Sequence, residues 1–282
     1  MKIIECPRDA IQGIKHLIST EAKAHYLNQL LQVGFDTIDF GSFVSPKAIP
    51  QMADTAAVLG RLDLSNTKSK LLAIVANERG AGEACAFEQI ACLGYPFSIS
   101  ETFQLRNTGA SIAESVNRVK AIHELCVKHN KQLVIYISMG FGNPYGDEWN
   151  SDIAMRWVEE LSRLQINVFS LADTVGVANP QSISYLFNSL IPVFPQLEFG
   201  AHLHTTALTV NEKLEAAWQA GCRRFDGAIL GYGGCPMAQD ELVGNMPTEQ
   251  LIDFMLSKNQ ALGFDKQQVL NLEPSFKQLI AH

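Results

Sequence analysis

The chain has 282 residues, 47% of them hydrophobic and 18% charged, with a net charge of −7. That length supports one or two domains, and α/β barrels of this size often fold as one. The acidic balance argues against nucleic acid or an anionic membrane as the main partner, and no apolar run approaches the roughly 20 residues of a membrane span.

In chain order, short β-rich runs alternate with helix-length amphipathic stretches. Met1-Lys2-Ile3-Ile4-Glu5 leads directly into a strand over 2–6, which leaves no room for a signal or transit peptide. The pattern then predicts a helix over 20–33, a strand over 37–41, a helix over 48–60 and a strand over 70–75. It continues with a helix over 80–93, a strand over 97–100, a helix over 111–129, a strand over 132–138 and a helix over 151–164. Strands over 167–172, 197–202 and 223–229 follow, separated by helices over 180–193 and 208–220. From Thr248 onward the chain reads as a helical extension over 248–282.

Local signals support these boundaries. Ser111 stands three residues before Glu114, which is capping-box spacing. Pro180 sits where a first-turn proline belongs, and Ser45-Pro46 reads as an N-cap followed by one. Gly34, Gly94 and Gly221 follow helical stretches where C-terminal glycines belong. Eight strands alternating with helices imply parallel βαβ units. The expected class is therefore α/β: a (β/α)8 TIM barrel with additional C-terminal helices, in one domain over 1–282. A doubly wound open sheet is the alternative, weakened because no G-x-G-x-x-G or P-loop follows the first strand.

Six cysteines (Cys6, Cys85, Cys92, Cys126, Cys222 and Cys235) include no C-x-x-C pair. Without a secretory signal they read as reduced thiols in a cytoplasmic protein, four or five of them plain core or helix residues. Cys235 differs, because Gly231–Pro236 reads G-Y-G-G-C-P. Glycines let a backbone fold tightly and approach a ligand, and Pro236 stiffens the exit.

Barrel enzymes place their chemistry where strands end. Polar residues concentrate there: Arg8 and Asp9 after the first strand, Asp39 and Ser42 on the second, Ser170 and Asp173 on the sixth, His202 and His204 on the seventh. Cys235 and Asn245 come after the eighth. His202 and His204, two apart on a strand, share a face, and paired imidazoles commonly bind one divalent cation. Asp9 could add a carboxylate oxygen and Asn245 an amide oxygen. That mixed set suits Mg2+ or Mn2+ better than Zn2+; a hydrogen-bonded pair of core histidines is the plainer alternative. Arg8 could neutralise a carboxylate or enolate, or simply form a salt bridge. Asp173 could cap its turn, face a bound water or orient Arg8. Gln12, taken alone, reads as a surface residue.

These segments resemble the 3-hydroxy-3-methylglutaryl-CoA lyase family of the DRE-TIM metallolyase group. The resemblance rests on P-R-D-A-I-Q (7–12), S-F-V-S-P-K-A-I-P-Q-M-A-D (42–54), S-L-A-D-T-V-G-V (170–177), H-L-H (202–204), G-Y-G-G-C-P (231–236) and Gly244-Asn245. It implies a TIM barrel that binds Mg2+ or Mn2+ through Asp9, His202, His204 and Asn245. Arg8 would stabilise an enolate oxygen and Cys235 would transfer a proton, with Asp173 and Asp39 assisting; Gln12, Ser42 and Ser170 would contact substrate. The implied reaction is retro-Claisen cleavage of 3-hydroxy-3-methylglutaryl-CoA, or a close 3-hydroxy-3-alkylglutaryl-CoA, to acetyl-CoA and acetoacetate. A homodimer is implied as well, and the pathway is open between leucine degradation, ketone-body formation and terpenoid degradation. A Claisen-condensing or aldolase-type relative acting on a keto acid is the alternative, and the cysteine loop speaks against it. Three positions depart from the family pattern: Asp39 replaces a glutamate, Thr205 an aspartate after H-x-H, and Ala10 a glycine.

Overall fold

Eight parallel strands close into a barrel, as the alternation predicts. They are β1 (Lys2–Glu5), β2 (Thr37–Ser42), β3 (Lys70–Ile74), β4 (Ile90–Ser98), β5 (Gln132–Ser138), β6 (Val168–Ala172), β7 (Glu198–His202) and β9 (Arg224–Gly227). Closure comes from β9 pairing with both β7 and β1. The two-residue strands β8 (His204–Thr205) and β10 (Gly244–Asn245) form a separate antiparallel pair. The computed structural model describes residues 1–234 and 243–281. Cys235 therefore lies outside the described residues.

The helices start at side-chain caps. Ser111 and Glu114 make the expected capping box at α6 (Ile112–Lys128). Asn179 caps α8 (Pro180–Leu190), with Pro180 in the first turn. Capping satisfies amide groups that a helix start leaves without partners. Around the barrel run α2 (Thr20–Leu31), α3 (Thr55–Leu59), α4 (Glu78–Cys85), α7 (Ser151–Ser162) and α9 (Val210–Gln219).

Four expectations are corrected. The strand expected at 97–100 is β4, which begins at Ile90, and the preceding helix stops at Cys85. Ile90–Phe97 is a nearly continuous apolar run, which periodicity alone cannot assign to helix or strand. Gly94 is consequently no helix cap: it lies inside β4, where a Cβ would meet Ile74 Cδ1 at 2.6 Å and Tyr136 Cε2 at 3.0 Å. Ser45-Pro46 opens a turn rather than a helix, with Ser45 O accepting from the amides of Ala48 and Ile49. The helix expected over 48–60 splits into a 3-10 turn (Pro50–Met52) and α3. Two short helices carried no clear periodicity: α1 (Pro7–Gln12) and α5 (Glu101–Thr108).

The main core lies between the barrel wall and the helices, and a small apolar cluster inside the barrel contains Leu72, Cys92, Val134, Tyr136 and Val168. The C-terminal segment forms α10 (Thr248–Ser257), α11 (Lys266–Leu270) and α12 (Glu273–Leu279). These helices join the main core through Leu251, Ile252, Met255, Val269 and Phe276, the last with its ring 5.5 Å from that of Tyr26. Among the described residues no helix is long and apolar enough to cross a membrane.

Candidate active site

Immediately after β1, Pro7 starts α1 and forces a helical turn. Extended backbone would send Arg8 and Asp9 to opposite faces. The helical turn instead lets Arg8 Nη1 donate to Asp9 Oδ1 at 3.0 Å. Ala10, where the family has glycine, is buried in this helix and favours it.

Arg8 is the hub. Its Nε and Nη2 donate to the Asp39 carboxylate at 3.0 and 2.5 Å, and Nη1 also donates to Gln12 Oε1 at 3.0 Å. Gln12 Nε2 returns a bond to Asp9 Oδ1 at 2.8 Å. Gln12 thus belongs to the cluster rather than to the surface. Of the five guanidinium N–H groups, these contacts engage four and leave one on Nη2. Asp39 is short for this family, yet it reaches Arg8 in a forked pair. Burial pushes the Asp39 carboxyl up to about 6, against the pull of Arg8. Arg8 itself is raised, because Asp39 and Asp9 outweigh the opposing effect of burial.

Asp9 faces the two histidines. The three side chains place one ligand atom each within 4.8 Å of one another. Burial opposes the charge on Asp9, but Arg8, His202 and His204 hold its carboxyl below the usual value. Asp9 Oδ2 is buried and has no hydrogen-bond partner among the described residues. Leaving an ionised oxygen so placed is costly unless something cationic meets it. Asn245 lies beside Asp9 and, through its side-chain amide, lowers the Asp9 pKa further; its Nδ2 donates to Tyr232 O at 2.9 Å. The set of one carboxylate and two imidazoles therefore fits a divalent cation.

The histidines share the site by a different route from a continuous strand. β7 ends at His202, and His204 begins β8, where its cross-strand partner is Asn245. Thr205, in place of the family's aspartate, donates its hydroxyl to Asn245 O at 3.3 Å and so ties this pair together. Burial and the neighbouring His202 lower the His204 pKa to about 4, which keeps its ring neutral. For His202, burial opposes the charge, but Asp226 and then Asp9 raise its pKa above the ordinary value. The loop 231–234 closes over α1. Gly233, at φ 91°, comes so near that a Cβ would meet Asp9 O at 2.7 Å, so glycine is required by both φ and space.

Asp173 does not orient Arg8. Its Oδ1 accepts from Ala178 N at 2.9 Å, and its Oδ2 takes Lys213 Nζ at 2.9 Å. Lys213 also donates to His204 O at 2.7 Å, so Asp173 holds the histidine strand through Lys213. Ser170 Oγ lies 3.4 Å from Asp226 Oδ2, beneath His202. Ser42 is buried, and among the described residues no hydrogen bond links it to the Arg8 cluster.

Sequence reasoning missed Lys213, Asp226 and Cys6. Lys213 sits on a helix that periodicity identifies, but nothing local distinguishes a buried lysine there. Asp226 and Cys6 each lie within reach of His202, as a second group of possible ligand atoms. All five described cysteines are buried and unpaired, as expected.

A closed parallel barrel carrying a carboxylate, two imidazoles and a tethered arginine where its strands end defines a barrel enzyme with a site for a divalent metal. The chain belongs to the HMGL-like family, whose model matches residues 2–275. It is 33% identical over 260 residues to the hydroxymethylglutaryl-CoA lyase YngG of Bacillus subtilis, covering 89% of this chain and 83% of that protein. It is 32% identical to the rat cytoplasmic 3-hydroxy-3-methylglutaryl-CoA lyase, covering 96% of this chain and 78% of the relative. An HMG-CoA lyase from Acinetobacter baumannii, solved in complex with coenzyme A and 3-methylmalate, superposes with a TM-score of 0.91 at 29% identity, covering 100% and 92% of the two chains. The Bacillus subtilis HMG-CoA lyase structure gives 0.92 at 31% identity, covering 99% and 93%.

Proposed function

We propose that this enzyme is a carbon–carbon lyase that cleaves 3-hydroxy-3-methylglutaryl-CoA, or a close 3-hydroxy-3-alkylglutaryl-CoA, to acetyl-CoA and acetoacetate. The observation that carries the reading is the buried, partnerless Asp9 oxygen facing His202 and His204, one residue from an arginine with an N–H to spare. Asp9, His202, His204 and Asn245 would hold Mg2+ or Mn2+. Such a cation supplies Lewis acidity, lowering the pKa of a hydroxyl and fixing oxygen atoms in place.

The reaction balances without redox. The substrate hydroxyl loses its proton and becomes the ketone oxygen of acetoacetate. The bond from the carbinol carbon to the thioester CH2 breaks, and its electron pair becomes the thioester enolate. Protonation of that enolate carbon gives acetyl-CoA. Arg8 stabilises the enolate oxygen with its remaining N–H, and Asp39 and Gln12 hold the guanidinium in place for it. Cys235 delivers or removes a proton from its glycine loop. Asp173 acts through Lys213 on the position of His204. Ser42 and Ser170 complete the substrate-contacting set. Within the same reading the enzyme is a cytoplasmic homodimer, one domain over 1–282, that serves leucine degradation; the cytoplasmic rat relative supports the compartment.

Coupled detection of acetyl-CoA release from 3-hydroxy-3-methylglutaryl-CoA, with Mg2+ or Mn2+ and with EDTA, tests this. Release that depends on metal and is lost in Cys235→Ala is the expected result. No release with metal bound would sink the reading and redirect the search to larger 3-hydroxyacyl-CoAs.

A further inference from the structure

We infer that Asp226 is a positioning residue that fixes the tautomer and the aim of His202. The inference rests on the reading of Asp9, His202 and His204 as a cation site. It comes from barrel closure: β9 pairs beside β7, with Phe225 opposite Ala201 and Arg224 opposite Gly200. That register carries Asp226 to the underside of the His202 ring. Asp226 Oδ2 lies 3.1 Å from His202 Nδ1, and the carboxylate is buried. On the other side of the ring, His202 Nε2 is 3.9 Å from Asp9 Oδ2. The ring packs edge-on against Tyr136, with centroids 5.7 Å apart.

A neutral imidazole carries one N–H, and an ionised carboxylate can only accept. Asp226 therefore holds the proton on Nδ1 and turns the Nε2 lone pair toward Asp9. A carboxylate behind a histidine commonly orients a metal ligand in this way. The layer below keeps Asp226 company with a cation. Tyr136, Ser170, Gly200 and Arg224 are successive partners on β5, β6, β7 and β9. A Cβ at Gly200 would meet Arg224 Cδ at 2.9 Å, so the glycine admits the arginine stem into the barrel. Arg224 is buried, and among the described residues only its Nη1 has a carboxylate partner, Glu198 at 3.3 Å.

Two measurements on the whole protein test the role. Nitrogen-15 NMR of the metal-free enzyme, followed to a pH where the ring has lost its second proton, reads the His202 tautomer, and calorimetry with Mn2+ reads affinity. Wild type should show the Nδ1–H form. Asp226→Asn can present an amide N–H to Nδ1, so the proton should move to Nε2 and Mn2+ affinity should fall about 10–100-fold. Asp226→Glu should restore the Nδ1–H form and part of the affinity. Circular dichroism checks that each variant is folded; if Asp226→Asn is not, the tautomer in Asp226→Glu and wild type decides. An unchanged tautomer with unchanged Mn2+ binding in Asp226→Asn overturns the proposal. So does loss of Mn2+ binding in Cys6→Ala with coordination through Nδ1, which would make Asp226 a ligand itself. Failure of wild type to bind Mn2+ would instead overturn the cation site, while the metal-free tautomer still decides the role of Asp226.

Discussion

β1 and the turn after it deliver two acids to opposite sides of the barrel wall, and the two are used differently. Glu5 points outward, where Oε1 accepts from Ile229 N at 2.9 Å and Oε2 from Thr248 Oγ at 2.5 Å. Each oxygen has a partner, and the residue clamps β1 to α10. Asp9 points to the mouth, where Oδ1 is engaged and Oδ2 is not. Both are buried. Burial alone therefore does not mark a functional carboxylate. What distinguishes Asp9 is an oxygen without a partner among the described residues, set beside imidazole nitrogens rather than apolar side chains.

The sharpest way to test that contrast is to remove the hub of the mouth cluster. Arg8→Met strips the buried carboxylates Asp39 and Asp9 of their counter-charge. Stability should drop by about 3–5 kcal/mol in denaturant melts, as for other broken buried pairs. Turnover should fall about 10²–10³-fold, the scale of a lost oxyanion donor. A stable, active Arg8→Met enzyme would dissolve the distinction between the two sides.

Next in size is Asp9→Asn. It keeps the shape but removes the charge, so Mn2+ affinity measured by calorimetry should fall on the order of 100-fold. Oδ1 loses its charge toward Arg8 but keeps an acceptor, so the melting temperature without metal should fall by less than in Arg8→Met, which breaks both ion pairs. A large loss of thermal stability with intact metal binding would recast Asp9 as a structural acid like Glu5.

Asp39→Glu restores the residue usual in the family. The added methylene enters a site where Asp39 already meets Arg8 at 2.5 Å. Overpacking should cost about 1–3 kcal/mol in melts. A gain in both stability and turnover would show that the shorter acid is not matched to this cluster.

The last test concerns pH. Burial raises the Glu5 carboxyl from its ordinary 4.5 to about 8. Between those values the native state holds a proton that the unfolded state has released. The stabilisation from Glu5 is thus full below about 4.5 and is lost as pH rises through about 8. Glu5→Gln, which cannot ionise, should flatten that decline in melting temperature between pH 5 and 8. An unchanged slope would place the pH dependence elsewhere.

Much of this was legible beforehand. The alternation of strands and helices located seven of the eight barrel strands, because period-2 and period-3.6 patterns are local properties. It failed at Ile90–Phe97, where a run buried on both faces has no period to read. It also failed at Pro7–Gln12, a single helical turn too short to show one. Arg8, Asp9, His202, His204 and Asn245 were legible by type and position at strand ends. Asp173 was legible as a site residue, but its link to Lys213 was not, since the two are 40 positions apart.

By itself, then, the sequence determined the barrel class, the segments that build it and the residue types at its mouth. Those follow from backbone periodicity, capping chemistry and motif spacing, which act over a few residues. Only the tertiary structure decided which acid is spent and which is left with an open oxygen. It also decided that His204 meets Asn245 across a short antiparallel pair, and that Asp226 lies behind His202. Those relations depend on barrel closure and strand register, which juxtapose side chains from distant parts of the chain.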